Sequence, residues 1–213
     1  MFVRIPRNFY QENFIRENAN LTTGNLYFHP HPLLRWVFWE RLRQIYRLVR
    51  EIKAETVLDL GCGGGELLPT LAGLFPRIWG IDFKVSNARR VVEHYRLKNV
   101  ILVDGDFLKH DFRQENFDLV VASDVLEHQP DLEVFLRKLN TVLKPGGRLV
   151  ASIPREGFWY RWGRKVFGIV PPADHFQGYR ELRAGLERHF QVQGISGLPF
   201  ILPLFAVFKC FKK

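Results

Sequence analysis

The sequence predicts an α/β protein built on a doubly wound parallel sheet. Three observations carry this. Strand and helix patterns alternate from Thr56 to Ile153, a glycine run follows the first strand, and an acidic residue closes or follows each of the first three strands. The elements are expected in the following order. Residues 1–30 are rich in Asn, Gly, His and Pro, and their apolar residues lack a clear period, so no regular element is expected there. Pro32 suits a first helical position. Leu34, Phe38, Leu42, Ile45, Val49 and Ile52 then recur at spacings of three and four, with Arg35, Arg41, Arg43, Arg47 and Arg50 largely off that stripe, which predicts an amphipathic helix.

Thr56–Leu60 reads as the first strand, with a helix from Glu66 to about Leu74. Arg77–Asp82 reads as the second, with a helix from about Val85 to Leu97, and Asn99–Val103 as the third. The apolar run inside Phe117–Ser123 predicts a fourth strand, buried on both faces. Leu132–Leu143 is expected to be helical and to stop at Lys144-Pro145-Gly146-Gly147, with a fifth strand over Arg148–Ile153. The tail predicts a helix over Glu181–His189 and strands over Phe190–Ile195 and Leu204–Phe211, close enough in sequence to pair antiparallel.

At 213 residues and 46% hydrophobic, the chain is long and apolar enough for one substantial domain. Two cysteines make no disulfide framework. No apolar run reaches the ~18 residues of a membrane span, and Met1–Arg7 lacks the apolar centre of a secretory signal, so a cytoplasmic location is expected. The net charge of +9 is unevenly placed. Residues 1–54 carry nine basic and four acidic side chains, residues 55–154 twelve and fourteen, and residues 155–213 ten and four. Basic, aromatic flanks around a near-neutral centre suit an anionic partner.

Chemistry concentrates at Val57-Leu58-Asp59-Leu60-Gly61-Cys62-Gly63-Gly64-Gly65. A glycine turn at the carboxyl edge of a parallel sheet lets backbone approach a ligand closely. Asp82, about twenty positions beyond Gly61, is placed as a ribose-binding acid, and Asp106 follows the third strand on the same edge. Gly61 and Gly63 match the start of G-x-G-x-x-G, but Glu66 stands where its last glycine would be. Asp59 and Glu66 are poor neighbours for a pyrophosphate and favour a ligand carrying a sulfonium or ammonium. An NAD-type reductase is therefore disfavoured.

These residues, together with Gly105-Asp106-Phe107, Phe117-Asp118-Leu119-Val120, Asp124-Val125-Leu126-Glu127-His128 and Leu143-Lys144-Pro145-Gly146-Gly147-Arg148-Leu149, resemble the successive motifs of the class I S-adenosylmethionine-dependent methyltransferases. Within that superfamily the chain is most similar to enzymes of ubiquinone and menaquinone synthesis. The resemblance is strong over residues 55–153 and implies a Rossmann-like seven-stranded sheet of order 3-2-1-4-5-7-6, one strand antiparallel. It implies one domain over 1–213: an N-terminal helical extension or lid (1–54), a cofactor-binding core (55–153), and an acceptor-side insertion with the last two strands (154–213). It also implies S-adenosylmethionine as cofactor and S-adenosylhomocysteine as product. Gly61, Cys62 and Gly63 would underlie the methionine part, with Asp59 supporting the turn and the ammonium group. Asp82 would hold the ribose, Phe83 touch the adenine face, Asp106 accept from the adenine amino group, and Phe107 supply a backbone N–H and an apolar wall. Ser123 and Asp124 would stand beside the transferring methyl.

His128, after the fourth strand, and His175, at a position that resembles the acceptor-pocket lining of related enzymes, are the candidate catalytic bases. Asp124, Glu127 and His128 also have the chemistry of a divalent-metal site, and some quinone-pathway O-methyltransferases use a comparable cluster. Many relatives carry similar letters without metal, and no metal is assigned. The stretches Tyr10–Phe28 and Phe158–Pro172 should cover the acceptor. The mixed aromatic and cationic run from Phe158 to Phe167, with the apolar excess around Phe200–Leu202, points to a hydrophobic small-molecule or lipid acceptor and peripheral contact with an anionic membrane. Two rivals stand beside this. An RNA (tRNA) methyltransferase fits the charge, although the chain lacks an Asn-Pro-Pro-Tyr type segment after the fourth strand. A non-catalytic S-adenosylmethionine-binding module is the other. The oligomeric state is not expressed in the sequence.

Overall fold

The structure, a computed structural model, describes residues 1–13, 26–112, 115–155, 157, 165, 175–198 and 204–213, with 195–198 as backbone. Its centre is one seven-stranded sheet of order β3-β2-β1-β4-β5-β7-β6. The strands are β1 (Thr56–Leu60), β2 (Arg77–Asp82), β3 (Val100–Asp104), β4 (Phe117–Ser123), β5 (Leu143–Pro154), β6 (Phe190–Leu198) and β7 (Phe205–Lys212). β1 to β5 run parallel, while β7 pairs antiparallel with both β5 and β6. This is the expected order and the expected single reversal.

Helices cover both faces. On one face lie α1 (Arg7–Asn13), α2 (Pro32–Val49), α3 (Leu68–Ala72) and α4 (Ser86–His94), packed on Val57, Leu119, Val121, Val150 and Val207. On the other, α5 (Leu132–Val142) and α6 (Tyr179–His189) pack on Leu58, Val120, Leu149, Ala151 and Phe208. Successive residues of one strand thus feed opposite cores, which is why β1 is buried along its whole length. The six apolar residues of the predicted stripe from Leu34 to Ile52 are all buried, which fixes the rotation of α2.

Three expectations are corrected. The helix after the glycine run starts at Leu68 rather than Glu66, because Gly65, Glu66 and Leu67 are spent in turns, with Leu68 N donating to Gly65 O. Lys144-Pro145-Gly146-Gly147 does not separate α5 from the fifth strand. β5 begins at Leu143, and the four residues are absorbed as a bulge between the pairs Phe117–Leu143 and Leu119–Arg148. The N-terminal region holds a helix, α1, that its sequence did not announce. Seven residues cannot sustain a helix alone, and tertiary contacts hold it. Phe9 packs on His94 at a ring separation of 4.5 Å, and the Arg90 guanidinium donates to the Asn13 carbonyl. Val3 N donates to Thr70 Oγ1 at 2.9 Å, tying the chain start to α3. No helix among the described residues is long and apolar enough to cross a membrane.

Asp118 fixes the start of the sheet. Its carboxylate accepts from Glu55 N and Thr56 N at 2.9 Å and from Thr56 Oγ1 at 3.0 Å, and it pairs with Lys144 Nζ at 2.9 Å. These donors bind β1 to β4 and to the bulge. Asp118→Ala is expected to cost about 1–3 kcal/mol by stranding them, read as a lower urea midpoint with an unchanged denaturant slope. A midpoint equal to that of the parent would contradict the role.

Candidate active site

The carboxyl edge of the sheet gathers the predicted acids. Gly61 N and Cys62 N both donate to Ile81 O, at 2.9 and 3.1 Å, so the glycine turn folds back over β2. Gly61 has φ +71°, and a Cβ there would lie 2.3 Å from Val125 Cγ2, so no other residue fits. Asp82 Oδ2 accepts from Gly63 N at 2.8 Å, making Asp82 a support of the turn as well as a ribose candidate. Burial raises its pKa, against the pull of the Gly63, Lys84 and Phe83 amides.

Asp59 and Glu66 lie beneath that turn, 3% and 7% exposed, and each has one carboxylate oxygen without a hydrogen-bond partner. Burial, then Glu66, then Asp82 push Asp59 up to about 8. Burial pushes Glu66 up to about 7, against its own backbone amide and the positive charge of Arg41. The Tyr10 hydroxyl faces Glu66, and burial and that carboxylate raise its pKa well above the ordinary phenol value. Buried acids that keep unused acceptor oxygens form a site for a cationic, hydrogen-bonding ligand group.

Arg41 is the residue sequence reasoning missed. It is 1% exposed, forms an ion pair with Asp124 and donates to the Tyr27 hydroxyl. Its guanidinium lies 5.1 Å from the Phe38 ring centre and 4.9 Å from that of Phe205. The positions 34, 38, 41 and 45 are themselves spaced by four and three, a signal that Arg41 faces inward. Asp124 adopts φ +55°, a conformation uncommon outside glycine. Its amide donates to Ser152 O at 3.1 Å, and Ser123 Oγ lies 3.1 Å from Ser152 Oγ. Asp124 therefore stands at the end of β4 as expected, but Arg41 engages its carboxylate.

The other predicted residues divide by orientation. Cys62 is buried, with its Sγ packed 3.2 Å from where a Gly80 Cβ would stand, so its side chain props the turn from below. Phe107 lies in the core, 5.0 Å from Phe135 between ring centres, and its ring is a wall from behind. Phe83 is 75% exposed at the rim. Asp106 Oδ1 accepts from Leu108 N at 2.9 Å, while its Oδ2 lies 3.8 Å from Lys109 Nζ.

His128 and His175, far apart in sequence, meet edge to face at a ring separation of 4.7 Å. Phe176 N donates to Glu127 O at 2.9 Å and so fixes the approach of the two segments. Ligand atoms of Glu127, His128 and His175 lie within 4.8 Å of one another. Two imidazoles and a carboxylate fit a divalent transition ion chemically. The set differs from the predicted one, since His175 replaces Asp124. The expected acceptor covers at 158–172 and 200–202, Lys165 apart, lie outside the described residues, as do residues 14–25 of the predicted lid.

The sheet order is that of the class I, S-adenosylmethionine-dependent methyltransferase fold. The chain belongs to a family described as "Methyltransferase domain", whose profile matches residues 33–191. It is 32% identical over 161 residues to the mitochondrial ubiquinone biosynthesis O-methyltransferase of Mus musculus, covering 68% of this chain but only 43% of that protein. N-methyltransferase NodS from Bradyrhizobium japonicum WM9, solved with S-adenosyl-L-homocysteine, superposes with a TM-score of 0.69 at 22% identity over 92% of this chain and 95% of its own. The [4+2]-cyclase SpnF scores 0.64 at 16% identity, covering 82% of this chain and 80% of its own. The shared fold alone therefore does not decide the reaction.

Two predictions follow from the acidic edge. An acid whose folded pKa is raised contributes stability that is present below the ordinary carboxylate range and lost as pH rises through the raised value. The thermal midpoint of the cofactor-free protein should therefore fall as pH rises from the ordinary carboxylate range, levelling off above about 7 for Glu66 and about 8 for Asp59. S-adenosylmethionine should stabilise the protein more at about pH 7.5, where its α-ammonium is still largely protonated, than at about pH 5.5. Thermal denaturation at both pH values checks this, and an unchanged slope in Asp59→Asn would assign the effect elsewhere. Asp82→Ala would loosen the Gly63 turn and the ligand together, so Asp82→Asn, which keeps an acceptor for Gly63 N, is the cleaner variant. It should weaken cofactor binding by about tenfold, or ~1.4 kcal/mol, in calorimetry. The thermal midpoint should change little, and equal loss of binding and stability would remove the ribose role.

Proposed function

We propose that the protein transfers the sulfonium methyl of S-adenosylmethionine to a hydrophobic small-molecule or lipid-like acceptor. The observation that carries this reading is the pair of buried acids, Asp59 and Glu66, under a glycine turn, a setting that favours a cationic methyl donor and opposes a pyrophosphate. Asp82 and Asp106 supply acceptors for the adenosine part. The acceptor class is supported by similarity to ubiquinone biosynthesis O-methyltransferases, of which the Mus musculus protein is one.

In the proposed reaction an acceptor lone pair attacks the methyl carbon in line with the carbon–sulfur bond. That bond breaks, its electron pair stays on sulfur as a neutral thioether, and the acceptor gains the methyl group. The donor is already activated, so alignment supplies most of the rate enhancement. A hydroxyl acceptor must also lose its proton, and His128, steadied by His175, is the proposed base. Phe83, exposed at the rim, and Tyr10, whose ring stacks on Phe28, are the proposed aromatic neighbours of the ligand. A cytoplasmic protein acting at a membrane surface is the setting that suits such an acceptor.

Incubation with isotopically labelled S-adenosylmethionine and either quinol-type lipid extracts or tRNA, read by mass spectrometry, tests the acceptor class. Label in the lipid fraction supports the reading. Label in tRNA, or turnover in neither, favours the RNA or the non-catalytic alternative. With a lipid acceptor, His128→Ala and His175→Ala should each lower kcat by about 10²–10⁴ while leaving the cofactor KM unchanged. Loss of parent activity on chelation, restored by a divalent ion, would instead make Glu127, His128 and His175 a metal site.

A further inference from the structure

We infer that the outer face of α2, with the N-terminal segment packed across it, docks on an anionic lipid surface. This rests on the proposed lipid-like acceptor, which would reside in a bilayer, but its evidence lies away from the cofactor cleft. The solvent stripe of α2 is Leu33, Trp36, Glu40, Arg43, Arg47 and Arg50, spaced by three and four. Its first turn is apolar: Leu33 is 49% and Trp36 47% exposed. Its later turns are cationic, with Arg43, Arg47 and Arg50 each about half exposed.

The N-terminal segment adds to both properties. Phe2 packs on Trp39 and Tyr46, and the Arg43 guanidinium lies 5.5 Å from the Phe2 ring centre. Arg4 lies 5.5 Å from the Trp39 ring centre, and its pKa is lowered by burial and by the charges of Arg35 and Arg43. Mutual repulsion among Arg4, Arg35 and Arg43 is a cost that an anionic surface relieves. Among the described residues two acids face these cations: Glu40 pairs with Arg43 and Arg47, and Glu51 lies 3.9 Å from Arg50. The face therefore keeps a net positive charge.

A protruding tryptophan and leucine beside a belt of arginines match the headgroup boundary, where an indole and an aliphatic chain enter the apolar layer while guanidinium groups stay on phosphates. Placement agrees with purpose. Arg41 already stands at the carboxyl edge of the sheet, and α2 runs from there toward the amino end of β1. Leu33 and Trp36, one to two turns before Arg41, thus reach past the edge where the acceptor must arrive.

The test is co-sedimentation of the full chain with vesicles of phosphatidylcholine alone or mixed with phosphatidylglycerol, with cofactor affinity measured separately by calorimetry. The parent should prefer phosphatidylglycerol vesicles and release them at high salt. Leu33→Ser with Trp36→Ser, and Arg43→Glu with Arg47→Glu, should each weaken vesicle binding at least tenfold and leave cofactor affinity unchanged. No preference for anionic vesicles, parent-like binding by both double variants, or tighter binding to tRNA than to vesicles would overturn the inference. Loss of cofactor binding by the parent itself would count against the methyl-transfer reading and leave the vesicle result standing.

Discussion

Two carboxylates, Asp59 and Glu66, are buried at one glycine turn, where burial pushes both pKa values up, and the contacts around them answer to that condition. Ionised, they would repel each other across a medium of low dielectric. Protonated, they are tolerable but unused. The arrangement becomes favourable with both acids charged only when a positive group enters. Arg41 supplies part of that charge from α2, but it also serves Asp124 and Tyr27. The remaining demand is for a ligand bearing its own cation, as the sulfonium and ammonium of S-adenosylmethionine do.

The fold makes this burial affordable by over-determining the turn. Gly61 and Cys62 hang from the Ile81 carbonyl, Gly63 from Asp82, and Val125 closes the space above Gly61. The Gly64 amide also donates to Glu66, so the turn is tied to one of the acids as well as to β2. The N-terminal extension completes the enclosure, with Tyr10 against Glu66, Tyr27 under Arg41, and α1 seated on α4 through Phe9. The basic charge noted at the start of the chain thus has two destinations. Arg41 goes inward to the site, and Arg43 and Arg47 stay on the outer face of α2.

Most of the sheet was legible because its signal is local. Buried parallel strands read as apolar runs, and the acids at their ends mark one edge without knowledge of tertiary contacts. The inward Arg41 was obscured by its charge, since a cation beside an apolar stripe is usually solvated, and its burial is made tolerable by the Asp124 carboxylate, the Tyr27 hydroxyl and the rings of Tyr27, Phe38 and Phe205. α1 was invisible for the opposite reason: its stability is supplied by α4, not by its own seven residues. The roles of Cys62 and Phe107 could be placed only as far as the backbone, because which way a side chain points from a turn depends on neighbours such as Gly80 and Phe135. His128 and His175 stand in the sequence as separate candidates, and their meeting depends on the Glu127–Phe176 hydrogen bond between segments distant in sequence.

This acidic edge should select a cationic adenosine cofactor over a pyrophosphate-bearing dinucleotide. Isothermal titration of the protein with S-adenosylmethionine and, separately, with NADH in the same buffer tests it most directly. Saturable one-site binding of S-adenosylmethionine with no binding of NADH is the predicted result. Binding of NADH, or failure of the folded protein to bind S-adenosylmethionine, would contradict it.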